Sequence, residues 1–139
     1  MPLSKNGKVE LLKRIPLFAG CTKAELIEVA ISADERMAWD GEELTQEGRL
    51  GREFFIVVEG AVAVRRGGRK LAELGPGDWF GEIAILTHKP RTATVTATSP
   101  VSLLVLSDRA FRQIVERSPR IALKVLRSVA DRLEHDRHS

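Results

Sequence analysis

The sequence predicts a mainly β domain with flanking helices, built as an antiparallel double-sheet jelly roll or a small barrel. Three observations carry that prediction. Between Ala33 and Leu106, short apolar or alternating runs recur at near-regular spacing, each ended by glycine or proline, as in sandwiches and small barrels. Outside those limits the apolar residues recur with helical spacing instead. One interruption inside the strand region, Ile83 to Leu86, has room for about one helical turn.

The elements follow in order. Met1 to Gly7 reads as a loose start, and Val9, Leu11, Leu12 and Ile15 lie at helical spacing before Pro16. Pro16 to Gly20 is a compact apolar turn. Thr22-Lys23-Ala24-Glu25 is a capping box that opens a helix burying Leu26, Ile27, Val29 and Ala30. Glu35, Met37 and Trp39 alternate, and Asp40-Gly41 turns the chain into Glu42 to Gln46. Phe54 to Val58 is apolar on both sides and therefore central. Ala61 to Val64 leads through Gly67-Gly68, a hairpin turn, to Leu71 and Leu74. Gly75-Pro76-Gly77-Asp78 turns again, Arg91 to Thr96 is a β-branched strand, and Val101 to Leu106 is the last strand. Ser107 caps a helix that buries Ala110, Phe111, Ile114 and Val115, and Ser118-Pro119 restarts the chain as a final helix. Its apolar seam is Ala122, Leu126, Val129 and Leu133, widened by Ile121 and Val125. The expected division is helical 1–32, β 33–106 and C-terminal helices 107–136, all in one domain, 1–139.

Composition excludes more than it assigns. The 22 basic and 19 acidic residues leave a mild positive charge, too small to imply nucleic acid. The basic turn Arg65 to Lys70 reads as a solvated hairpin tip. No run is long enough for a membrane span, and no signal-peptide pattern opens the chain. Cys21 is the single cysteine, so no internal disulfide forms, which suits a reducing cytoplasm. The histidines, His88, His135 and His138, fall in predicted loop or tail, with no cluster for a metal and no nucleophile–base pair. An enzyme is not expected.

The densest chemistry is Phe80-Gly81-Glu82-Ile83-Ala84, then Arg91-Thr92-Ala93 after Pro90. Gly81 lets backbone approach a ligand closely, and the helical turn after it offers unpaired N–H groups to an anion. Arg91 adds a guanidinium and Thr92 a hydroxyl, which together suit a phosphate. Glu82 would repel a phosphate, so it fits only a ligand carrying a hydroxyl donor beside the phosphate. A nucleoside cyclic phosphate, with its ribose 2′-hydroxyl, is such a ligand.

This stretch resembles the phosphate-binding cassette of cyclic nucleotide-binding domains, as in cyclic-nucleotide-dependent kinases, gated channels and the catabolite activator protein. The family pattern is Gly-Glu, an apolar and a small residue, a spacer, then Arg-(Ser/Thr/Ala)-Ala, and no position here departs from it. The resemblance implies a β-roll with its glycines at the corners. It implies that Glu82 accepts from the ribose 2′-OH and that Arg91 pairs with the phosphate. The N–H groups of Ala84 and Ala93 and the Thr92 hydroxyl would complete the cradle, with Phe80, Gly81 and Ile83 around it. The ligand would be cAMP or cGMP, with no metal; Thr92 permits cGMP without requiring it. The last helix would serve as a lid, with Leu133 or the Arg132 stem over the base, or as a homodimer seam. Hinges would lie near Ser107 and Ser118. No helix-turn-helix, spanning helices or kinase accompany the domain in this sequence, so any output domain or partner is expected outside it. The alternative is a protein-interaction β-roll that no longer binds nucleotide.

Overall fold

A computed structural model describes residues 3–138, with side chains for residues 3–132. Its helices are α1 (Lys5–Leu12), α2 (Lys23–Ser32), α3 (Glu82–Thr87), α4 (Asp108–Arg117) and α5 (Pro119–His138), with a 3-10 turn at Pro16–Phe18. Its strands are β1 (Asp34–Ala38), β2 (Glu43–Thr45), β3 (Glu53–Glu59), β4 (Val62–Arg66), β5 (Arg69–Leu74), β6 (Trp79–Phe80), β7 (Thr94–Ala97) and β8 (Val101–Ser107). They form two antiparallel four-stranded sheets, β1-β8-β3-β6 and β2-β7-β4-β5, which is the predicted β-roll.

The two-sided apolar character of β3 follows from its place between two cores. Phe55 and Val57 point between the sheets, with Phe80, Val95, Leu103 and Val105. Phe54 and Ile56 point the other way, with Leu104 and Leu106, against a helical layer made by Leu12, Phe18, Val29, Phe111, Ile121 and Val125. Side chains alternate faces along a strand, so a strand shared by two cores must be apolar at every position. Phe54 stacks on Phe111 with ring centroids 4.5 Å apart, joining β3 to α4.

Local signals set the helix starts. Thr22 Oγ1 accepts from the Glu25 N–H at 3.1 Å, and Glu25 Oε1 accepts from the Thr22 N–H at 2.9 Å, completing the capping box. Ser107 Oγ accepts from the Ala110 N–H at 3.1 Å, and Ser118 Oγ from the Ile121 N–H at 3.3 Å. The start at Met1 to Gly7 is not loose throughout, because Ser4 caps α1 and the helix begins at Lys5. His135 and His138 fall within α5 rather than a tail.

Two further expectations are corrected. The strand expected from Arg91 begins at Thr94. Arg91 instead pairs its N–H with Arg49 O at 2.8 Å and its carbonyl with the Gly48 N–H at 2.9 Å. The Thr92 and Ala93 carbonyls accept from the Arg66 and Thr45 side chains, so no neighbouring strand extends the ladder there. Met37 of β1 and Trp39 just past it, for which the sequence named no buried face, are 73% and 80% exposed. The seam expected on α5 divides: Ile121 and Val125 turn into the core, while Leu126 is 63% exposed.

Removing the ring that joins β3 to α4 tests this packing. Phe111→Ala should destabilise the domain by about 3–5 kcal/mol, measured by urea unfolding. A loss below about 1 kcal/mol would contradict the stacked, fully buried contact.

Candidate functional site

The sheet β2-β7-β4-β5 and the segment between β6 and β7 enclose a cavity of about 380 Å³. That volume falls within the roughly 300–1,000 Å³ common for small-molecule sites. One wall is apolar and belongs to β4, β5 and β7: Val64, Leu71, Leu74 and Val95. Val64 lies opposite both Ala72 and Val95 across its two neighbouring strands, which makes that wall continuous. The other wall is the segment between β6 and β7, with Phe80, Gly81, Ile83, Ala84, Arg91, Thr92 and Ala93. The mouth is bordered by Asp131 and Arg132 of α5.

Arg91 is the fixed point of this cavity. Its side chain is pulled beneath the surface, leaving the residue only 7% exposed. Nη1 donates to Gly81 O at 3.2 Å and Nη2 to Glu53 O at 3.0 Å. A guanidinium has five N–H donors, so two are used for positioning and the rest remain for a ligand. Burial pulls its pKa below the ordinary arginine value, while the carboxylates of Glu53 and Glu82 push the other way. Two glycines make this seat possible. Gly81 has φ +100°, and a Cβ there would strike Glu53 O and crowd Arg91 Nη1. A Cβ on Gly51 would collide with the Arg91 guanidinium itself.

Gly81 also turns the chain into α3, whose first N–H groups have no carbonyl within the helix to bond. These amides and Arg91 belong to residues that line one cavity, an arrangement suited to an oxyanion. Phe80 anchors the turn by stacking on Phe55, with centroids 4.7 Å apart. Among the described residues no group of His, Cys, Asp and Glu could hold a metal ion.

Glu82 sits differently from its neighbours. Every other residue singled out in the cassette lines the cavity, but Glu82 is 0% exposed and does not. Oε1 is taken by Nη1 of Arg132, whose Nη2 donates to Trp79 O at 3.0 Å. Oε2 is buried with no hydrogen-bond partner. Burial raises the Glu82 pKa above the ordinary carboxylate value, only partly opposed by Arg132 and Arg91. Arg132, whose stem was expected over the base, lines the cavity and carries its guanidinium to this carboxylate. The Leu133 side chain lies outside the described residues.

Sequence reasoning did not place Gly51, Arg66 or the apolar wall in the site. Arg66 belongs to the turn read as a solvated hairpin tip. Strand parity carried a usable signal for Arg66: it shares a face with Val62 and Val64, and its Nε donates to Thr92 O at 2.9 Å.

The comparisons with known proteins agree with this geometry. A family model described as the cyclic nucleotide-binding domain matches residues 38–118. A cyclic nucleotide-gated potassium channel of Rhizobium etli is 35% identical over 123 residues, which is 88% of this chain and 34% of the channel. The chain thus spans about a third of the length of the first curated relatives that it matches. The catabolite activator protein of Thermus thermophilus superposes with a TM-score of 0.78 at 31% identity, over 87% of this chain and 59% of that one. The regulatory domain of Toxoplasma gondii PKA, solved with cAMP, gives a TM-score of 0.81 at 26% identity, over 91% and 50%.

The raised Glu82 pKa has a stability consequence with a definite sign. The folded state takes up this proton more readily than the unfolded chain, so acidification through the raised pKa relieves a cost carried at neutral pH. Below the ordinary carboxylate value near 4.5 the relief is complete. Thermal melts of wild type and Glu82→Gln should therefore differ most at neutral pH, with the variant the more stable. The gap should close as pH falls toward 4.5. Parallel profiles across that range would contradict the assignment.

Proposed function

The chain belongs to the cyclic nucleotide-binding domain family, and we propose that it acts as a regulatory sensor module for a 3′,5′-cyclic nucleotide, cAMP or cGMP. The observation that carries the proposal is the buried Arg91 fork. It is held at the cavity wall by two backbone carbonyls, with donors left over beside the first turn of α3 on the same cavity. The cyclic phosphate pairs with Arg91 and with the N–H groups of Ala84 and Ala93, and the Thr92 hydroxyl completes the cradle. The base lies against Val64, Leu71, Leu74 and Val95. Phe80, Gly81 and Ile83 close the site around the ribose.

The ribose 2′-OH goes to Glu82, and here the ligand meets the C-terminal helix. Glu82 is sealed beneath Arg132, so the hydroxyl reaches the carboxylate only if Arg132 shifts. Because α5 carries Arg132 fifty positions away in sequence, a local contact becomes a movement of the last helix. A ligand shifts such an equilibrium by its difference in affinity for the two arrangements. Ser107 and Ser118, the caps of α4 and α5, are the hinges. Residues of α5 left exposed, Leu123 and Leu126, offer a second copy or an output partner an apolar face. The 1–139 unit works as one domain in the cytoplasm, as a binding module rather than an enzyme, with no direct contact to nucleic acid. Among the described residues no helix is long and apolar enough to cross a membrane.

Calorimetric titration of cAMP and of cGMP tests the reading, with Arg91→Ala and Arg91→Lys as controls. Removing the fork should cost roughly 1.5–3 kcal/mol, about tenfold or more in affinity. Lysine should restore only part, since it keeps the charge but not the paired donors. No binding of either nucleotide by folded, nucleotide-free protein would instead support a β-roll whose partners are proteins.

The coupling through α5 has its own readout. Adding nucleotide should change amide exchange across residues 119–132, and Arg132→Gln should shrink that change. Exchange in that segment unaltered by saturating nucleotide would exclude α5 as the output.

A further inference from the structure

The cassette helix has a second pole. The phosphate belongs at the N-terminal end of α3, and the C-terminal end is held by Arg112 of α4. Arg112 Nη2 donates to Ile85 O at 3.3 Å, one of the carbonyls that a helix end leaves unpaired. The same nitrogen lies 3.0 Å from Nδ1 of His88, the residue that ends α3. A cation at this end also complements the helix dipole. His88 has φ +58°, the left-handed region usually left to glycine, so its conformation depends on what holds it.

Arg112 is tied in turn to the other half of the phosphate seat. Its Nε lies 2.5 Å from Asp108 Oδ1, one turn earlier on α4. Asp108 also pairs, at 3.8 Å, with Arg52. Arg52 stands between Gly51, which lies against the Arg91 guanidinium, and Glu53, whose carbonyl accepts from it. The first turns of α4 therefore touch both α3 and the loop that seats Arg91.

We propose that Arg112 is a positioning residue for the phosphate site, bracing α3 and the Gly51–Glu53 loop against α4, with His88 as the acceptor that locks the brace. It touches no ligand. It acts by holding the α3 amides at the angle at which they face Arg91, so phosphate affinity and the placement of α4 are linked. The inference rests on the cyclic-nucleotide reading above. Arg112 Nη2 is within hydrogen-bond distance of both His88 ring nitrogens, 3.0 Å from Nδ1 and 3.3 Å from Nε2, so the imidazole helps to hold the arginine at the helix end. Asp108 is engaged by both Arg112 and Arg52, which ties the brace to the Gly51–Glu53 loop.

The test is cAMP affinity by calorimetry for wild type, Arg112→Gln, Arg112→Lys and His88→Asn. Asparagine tolerates the left-handed conformation and removes the imidazole. Arg112→Gln should lose about fivefold or more in affinity, the lower end of ordinary coupling between sites. Arg112→Lys should recover part of that loss. His88→Asn should also lose affinity, but less, because Ile85 O still holds Arg112. Wild-type affinity in folded Arg112→Gln would overturn the proposal. Should that variant fail to fold, wild-type affinity in His88→Asn would overturn it equally. If wild type binds no cyclic nucleotide, the functional reading fails. The brace is then judged by amide exchange of residues 83–88, which Arg112→Gln should accelerate and which, if unchanged, sinks it.

Discussion

The structure depends on keeping one guanidinium buried. Placing a charge under the surface is costly unless it is hydrogen-bonded, and Arg91 achieves this through backbone carbonyls rather than a single carboxylate partner. Those carbonyls come from the end of β6 and the start of β3, so the position of the guanidinium is set by the sheet itself. Gly51 and Gly81 exist at their positions because a Cβ at either would occupy the space of the guanidinium or its acceptor. Fixed this way, Arg91 needs little reorganisation to meet an anion.

Around that seat, two arginines from the C-terminal helices hold the cassette. Arg132 of α5 covers the carboxylate at the beginning of α3, and Arg112 of α4 grips the carbonyl near its end. A six-residue helix has little stability of its own, so what holds its two ends decides where it lies. A ligand that competes for one of these contacts, or tightens the seat between them, acts on α4 and α5 without touching the core. The cores beneath, with Phe54 and Phe55 facing opposite ways from one strand, give the cassette a rigid floor.

The fold and the cassette were legible in sequence because their signals are local. Glycine-bounded strands, the Thr22–Glu25 capping box and the Gly81-Glu82 and Arg91-Thr92-Ala93 spacings all act over a few residues. What escaped depends on partners distant in the chain. That Arg132 covers Glu82 is one such feature, a contact spanning fifty positions. The start of β7 reads as Arg91 until Arg49, Arg66 and Thr45 take the hydrogen bonds that a strand would have used. Met37 and Trp39 show the complementary limit: an alternating pattern predicts a strand but not which face is covered, and here the apolar face lies open.

A crystal structure of the domain grown with cAMP tests the central claim most directly. The account predicts the cyclic phosphate on the Arg91 guanidinium and the amides of Ala84 and Ala93, and the ribose hydroxyl on Glu82 with Arg132 displaced from its present contact. Arg91 still bonded only to Gly81 and Glu53, with the nucleotide bound elsewhere or not at all, would contradict it.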